Sequence, residues 1–202
     1  MKITDITKLV KIHELEIKKD SIHITKKTKL WCTLPYKNHK GGCPNYNKKL
    51  VCPPNSPFFD YFIDNYTHFY LIYANFDFKQ YKEIRKSENP NRTDAQISCV
   101  LYWQGSIKRL LKEYIRNIYT TCNNNITDFH LLSCGSGFKD KVLNSTQSQI
   151  YSMESVGIDV FRTLKNNNIN FELKPINKII MVCLLCSKLE INSYEIEVIG
   201  LI

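Results

Sequence analysis

Aliphatic residues recur at three- and four-residue steps near the start of the chain, at Ile3, Ile6, Leu9, Val10, Ile12 and Leu15, and this spacing predicts a short amphipathic helix over 3–17. Ile22 and Ile24 alternate with polar neighbours and suggest a strand. The periodicity then fails from Cys32 to Pro57, a stretch rich in proline, where a regular backbone is not expected. Phe58–Tyr66 reads as a helical turn, and the β-branched and aromatic run HFYLIYANF, His68–Phe76, as a buried strand. The longest helical stripe runs through Ile97, Val100, Leu101, Gln104, Ile107, Leu111, Tyr114 and Ile118 and predicts one helix over 93–120, with Lys108, Lys112 and Arg116 on another face. A strand over 128–134, a helix over 152–166 and final strands at Phe171 and 178–187 complete the pattern.

Strands separated by helices place the fold in the α/β or α+β class: a single domain, 1–202, with a mixed sheet, flanking helices and an irregular Cys/Pro-rich loop. No repeat and no Gly/Ser linker divides the chain, and 202 residues suffice for a sizeable core without metal or disulfides to hold it. With 43% hydrophobic and 23% charged residues the composition excludes a disordered tail or a fibre. The longest apolar run, Ile179–Cys186, is far short of the roughly 20 residues that span a bilayer, and the N-terminus lacks a continuous apolar signal segment. No membrane association and a cytoplasmic location are expected. There, clustered cysteines serve as metal ligands or redox groups more often than as disulfides.

The chemistry concentrates in WCTLPYKNHKGGCPNYNKKLVCPPNSP, residues 31–57, which carries Cys32, Cys43 and Cys52. Proline after Cys43 and the Pro53–Pro54 pair after Cys52 fix φ angles and reduce the entropy lost when a metal gathers the loop. Gly41 and Gly42 allow close backbone approach. The spacing is neither the paired CxxC of a zinc ribbon nor the tight cysteine run of a bacterial ferredoxin. Three thiolates need a fourth donor for tetrahedral closure. His39 is the nearest choice, while Cys134, Cys183 and Cys186 lie further along the chain.

GCPNYNKKLVCPPNSP and YSMESVGIDVFRTLKN, residues 42–57 and 151–166, together resemble an uncharacterised family of predicted cysteine-rich metal-binding proteins, catalogued as a domain of unknown function in many anaerobic prokaryotes. Its Cys-Pro-x-Tyr…Cys-Pro-Pro pattern stands at Cys43–Pro54, and its Ser-Met-Glu…Gly-Ile-Asp-Val pattern at Ser152–Val160. The resemblance implies metal or iron-sulfur binding with no established reaction. Many relatives carry four ferredoxin-like cysteines before the second pattern; here 132–151 holds only Cys134, so a second cluster is not expected.

Other motifs are weaker. Cys183 and Cys186 form a CxxC, but on a regular strand positions three apart face opposite sides, so a core strand is the favoured reading. Cys134-Gly135-Ser136-Gly137 reads as a turn, with an anion-binding amide nest as the sharper alternative. Glu154 is expected to sit near a helix N-terminus, where the macrodipole favours a carboxylate, ahead of an acid/base role.

The expected function is therefore metal binding at one [4Fe-4S] or Zn²⁺ centre, with Cys32, Cys43 and Cys52 as ligands and His39 or Cys134 completing the set. A small-molecule or redox partner would follow. The net charge of +9, from 28 basic and 19 acidic residues, supports an alternative. In it, Lys37, Lys40, Lys48 and Lys49 with Tyr36 and Tyr46 make a metal-stabilised nucleic-acid-binding module, cations neutralising phosphates and rings stacking on unpaired bases.

Overall fold

The computed structural model describes residues 6–36, 39–121, 128–133, 135 and 150–191. At its centre is a four-stranded sheet of β1 (Val10–Ile17), β2 (His68–Asp77), β3 (Phe129–Leu132) and β4 (Lys178–Ser187), in the order β1-β2-β4-β3. Among the described residues these α-helices accompany it: α1 (Lys26–Leu30), α2 (Phe78–Glu88), α3 (Asp94–Ile97), α4 (Gln104–Thr121) and α5 (Val160–Asn166). Of the two expected classes, α+β is the one formed. All three ladders are antiparallel, and the parallel component of the expected mixed sheet is confined, among the described residues, to an isolated bridge between Ser133 and Ser152.

Alternation along the central strands feeds two separate cores. Tyr70, Ile72, Ala74 and Phe76 of β2, with Met181, Cys183 and Leu185 of β4, face the first. Helix α4 covers that side with Ile107, Leu111, Ile115 and Ile118, assisted by Tyr81 of α2 and Trp103. Phe69 and Leu71, with Val182, Leu184 and Cys186, face the second, under Phe59, Ile63, Met153, Val156, Ile158 and Leu164. Burial on both faces explains why β2 and β4 read as near-continuous apolar runs. It also separates Cys183 from Cys186 across the sheet: both are fully buried, one in each core.

Three expected helices form differently. The segment Val10–Ile17 is strand β1, because an unbroken antiparallel register with β2 from Val10↔Phe76 to Ile17↔Phe69 outweighs an ambiguous side-chain period. The stripe over 93–120 is interrupted. A capping box between Thr93 and Gln96 starts α3, but Cys99 turns to an extended backbone (φ −59°, ψ 122°) before a 3₁₀ turn, Val100–Tyr102. That break lets Trp103 enter the first core while Leu101 stays 85% exposed. The helix over 152–166 divides at Gly157 (φ +95°) into a 3₁₀ turn, Glu154–Val156, and α5, which Asp159 caps by accepting from the Arg162 N–H at 3.0 Å. A Cβ on Gly157 would stand 2.9 Å from the Phe58 ring, so this close approach demands glycine. Ile24 contributes an isolated bridge to Ile158 rather than a strand, and Phe171 lies outside the strands. The helical turn expected near Phe58 is present as two 3₁₀ turns, Phe59–Tyr61 and Ile63–Asn65.

Candidate metal centre

The excursion between β1 and β2, residues 18–67, carries the cysteine loop. Thr25 caps α1, its Oγ1 accepting from the Lys27 N–H at 3.3 Å, and α1 runs into the 3₁₀ turn Trp31–Thr33 that holds Cys32. The chain then leaves and returns: Tyr36 and His39 exchange backbone bonds of 3.1 and 2.8 Å, and the Cys43 N–H donates to the Cys32 carbonyl at 2.7 Å. Gly42 makes that return possible. Its φ is +81°, and a Cβ there would lie 2.5 Å from the Cys32 carbonyl oxygen. Beyond Cys43, the Asn47 N–H donates to the Pro53 carbonyl (2.8 Å), and Cys52 is held between bonds to Lys49 and from Ser56 (both 3.1 Å). The Pro53–Pro54 peptide is cis.

A second segment braces this loop from far along the chain. The Ser56 hydroxyl donates to the Ser155 carbonyl at 2.6 Å, and the Thr25 N–H to the Gly157 carbonyl at 2.8 Å. Lys29 is buried, donates its ammonium to the Ser56 carbonyl and lies 4.2 Å from the Phe58 ring centroid. Burial pushes its pKa down. Beside this junction a cavity of about 300 Å³ is lined by Ile24, Thr25, Lys26, Phe58, Asp60 and Tyr61.

The sequence-predicted residues divide into three groups. Cys32, Cys43 and Cys52 come together electrostatically. Burial pushes the Cys32 thiol pKa up, and the neighbouring Cys43, Cys52 and Glu154 push it further. Cys52 rises through burial and Cys43, with Lys49 opposing. His39 lies on the exposed arm of the loop, its ring 4.7 Å from that of Tyr36. Cys134 lies outside the described residues, as does the nest reading apart from Gly135, whose φ is +57°. No disulfide joins the described cysteines.

Glu154 has a larger place than its sequence setting implies. It is no α-helix N-terminal residue; its 3₁₀ turn is pinned by the Ser155 N–H and hydroxyl to Ser152. Burial pushes its pKa up, while bonds from its own N–H, the Ser152 hydroxyl and the Gly135 N–H, and the charge of Lys108, act against that rise. Its Oε2 is enclosed and accepts no hydrogen bond. The sequence signal was the Ser-Met-Glu triplet; what it could not show was that the turn folds against a loop about a hundred residues earlier.

The donors along the loop are thiols, which suit a soft or borderline cation, and at Cys32 and Cys52 burial and the neighbouring Cys43 oppose ionisation. Among the described residues no group of three or more His, Cys, Asp or Glu side chains is placed to hold a metal ion. The chain belongs to the family of predicted metal-binding proteins DUF2284, whose profile matches residues 16–186, spanning the loop and the Glu154 turn. No curated protein and no solved structure matches it. No described helix is long and apolar enough to cross a membrane.

Proposed function

We propose that the chain is a single metal-binding domain, working in the reducing cytoplasm, that holds one [4Fe-4S] or Zn²⁺ centre through Cys32, Cys43 and Cys52. What supports this reading is one loop that carries the three thiols, its Cys43 N–H donating to the Cys32 carbonyl at 2.7 Å and its Cys43 pushing up the pKa of both Cys32 and Cys52. His39 and Cys134 are the sequence-derived choices for a fourth donor. A bound metal would supply Lewis acidity or electron transfer. The chain's own part is to hold the thiolates on a fixed backbone and shield them beneath the Glu154 turn.

The test is metal and acid-labile sulfide content, with a visible spectrum, on protein prepared under nitrogen without metal-affinity chromatography. About four iron and four sulfide per chain, with brown colour, identifies the cluster. About one zinc and no visible absorbance identifies a zinc site. Metal-free protein, or a Cys43→Ser variant with full metal content, rejects the reading.

A second reading rests on the exposed Tyr36, its ring tilted against that of His39, and on the exposed Lys40, Lys48 and Lys49 that follow. These groups would bind single-stranded nucleic acid, and a shift assay at low salt that shows no complex eliminates that role.

A further inference from the structure

We infer that Arg85, in the last turn of α2, and Arg92, in the loop that joins α2 to α3, form with Tyr81 and Tyr102 a binding site for the phosphate group of a small molecule. The site lies on the side of the sheet that carries the first core, where Tyr81 is buried. It stands apart from the cysteine loop, whose flanking Phe59 and Met153 pack in the second.

The two guanidinium groups meet at one ring. Their central carbons lie 5.9 Å (Arg85) and 5.6 Å (Arg92) from the centroid of Tyr102. Tyr81 and Arg85 stand four residues apart on α2 and so share a face of that helix. The Lys86 ammonium donates to the Arg92 carbonyl at 2.7 Å and ties the loop back to the helix. The Tyr81 ring packs against Phe76 and Phe78, which Trp103 also meets, so the core fixes the 3₁₀ turn bearing Tyr102 beside α2.

This group of side chains is rich in donors and short of acceptors. Arg92 Nη1 is enclosed and has no hydrogen-bond partner, and among the described residues Arg92 joins no carboxylate in an ion pair. The Tyr81 hydroxyl is enclosed as well, with no acceptor for its proton. Buried donors in folded proteins almost always find a partner, and those left without one point to a bound water or ion. Charge selects between the two. Arg85, Lys86 and Arg92 bring three cations to this turn, and the contact that offsets them is Glu88 on Arg85 at 3.2 Å. The two positive charges left over suit a dianion, and the guanidinium fork matches phosphate oxygens in a bidentate, charge-assisted geometry. Tyr102 lies over both arginines and is 50% exposed, so a ligand reaches them by displacing a surface ring rather than the core.

The full-length reduced chain is titrated with inorganic phosphate by isothermal calorimetry at about pH 8, where phosphate is mostly dianionic. Sodium chloride holds the ionic strength constant, and a parallel titration with acetate tests a carboxylate. Wild type, Arg92→Gln, Arg92→Lys and Lys174→Gln, an exposed cation away from the site, are compared, with far-ultraviolet circular dichroism to establish folding. The expected result is one phosphate per wild-type chain and a loss of at least about tenfold in affinity for Arg92→Gln. Arg92→Lys should lose affinity too, because it keeps the charge without the fork, and it decides the matter if the glutamine chain fails to fold. Lys174→Gln should bind as wild type does. A wild-type chain that shows no saturable heat with phosphate overturns the site, as do Arg92 variants that superimpose on wild type. An equal loss in Lys174→Gln would reduce the effect to overall positive charge and overturns it as well, and acetate binding as tightly as phosphate overturns the choice of ligand.

Discussion

Gly42 lies directly against Cys32: a Cβ at residue 42 would stand 2.5 Å from the Cys32 carbonyl oxygen and 2.8 Å from the Thr33 carbonyl carbon. These obstacles are backbone atoms and cannot rotate away. A Gly42→Ala chain would also place an L-residue at φ +81°, which costs about 1–2 kcal/mol before any overlap. The expected outcome is a loop that loses the Cys43–Cys32 backbone bond, with metal content falling well below one equivalent while the sheet persists. Metal analysis and a thermal melt together check this; an alanine variant with undiminished metal would show that the loop tolerates rearrangement.

The Gly157 contact predicts a different outcome. Alanine there combines φ +95° with a 2.9 Å approach to the Phe58 ring, and should destabilise the protein by roughly 1–3 kcal/mol. The ring is a side chain, so Phe58→Leu in the same chain should recover part of the loss. Urea denaturation of the single and double variants measures it.

Cys183 and Cys186 lie on opposite faces of β4, each wholly buried. Serine at either position buries a hydroxyl where a thiol packed, at about 1–3 kcal/mol. Both variants should keep the metal content of wild type. Loss of metal in either would mean that the pair, not the loop, holds the centre.

His130 gives the fold an acid sensitivity. It lies opposite Cys186 on the neighbouring strand, with the Phe62 ring 4.7 Å and the Tyr66 ring 5.9 Å from its own. Burial lowers its pKa from 6.5 to about 4. The unfolded chain therefore takes up a proton below pH 6.5 that the folded chain refuses until near pH 4, and stability falls through that window. Going from pH 7 to pH 5 costs about 2 kcal/mol at this residue. His130→Phe should remove this share, so the stability difference between variant and wild type should grow on acidification. Denaturation curves at the two pH values check it, and parallel behaviour would exclude His130 as the cause.

The parts of the fold that were legible in the sequence are those whose signal is local. Strands β2 and β4 announce themselves because burial on both faces leaves almost no polar interruption from Phe69 to Ala74 and from Ile179 to Cys186. The irregularity of the cysteine loop follows from its prolines, and the separation of Cys183 from Cys186 follows from strand geometry alone. Strand β1 was not legible, because Glu14 and Glu16 share its inward row with Val10 and Ile12, spoiling the period of two. That row is explained only by distant partners: Tyr114 donates to Glu14 at 3.1 Å and His68 pairs with Glu16 at 2.8 Å. The break after α3 was hidden for a similar reason, since the residues between are compatible with helix and only the docking of Trp103 decides otherwise. At the candidate site, three thiols could be named in advance. The Glu154 turn could not, because its approach to the loop is a tertiary event.

Neither brace of the cysteine loop belongs to the ladders of the sheet. The Ser56–Ser155 and Thr25–Gly157 bonds can part while every pair from Val10↔Phe76 to His68↔Ser187 stays closed. The loop and the sheet are thus separable units of opening, with the loop at the low-stability end. Its amides should exchange with deuterium by a local route, faster than those of β2 and β4. Opening there would release the proposed metal without disturbing the core, its exchange following local rupture of the Ser56–Ser155 and Thr25–Gly157 bonds, with the Asp159–His23 bond beside them, rather than global unfolding.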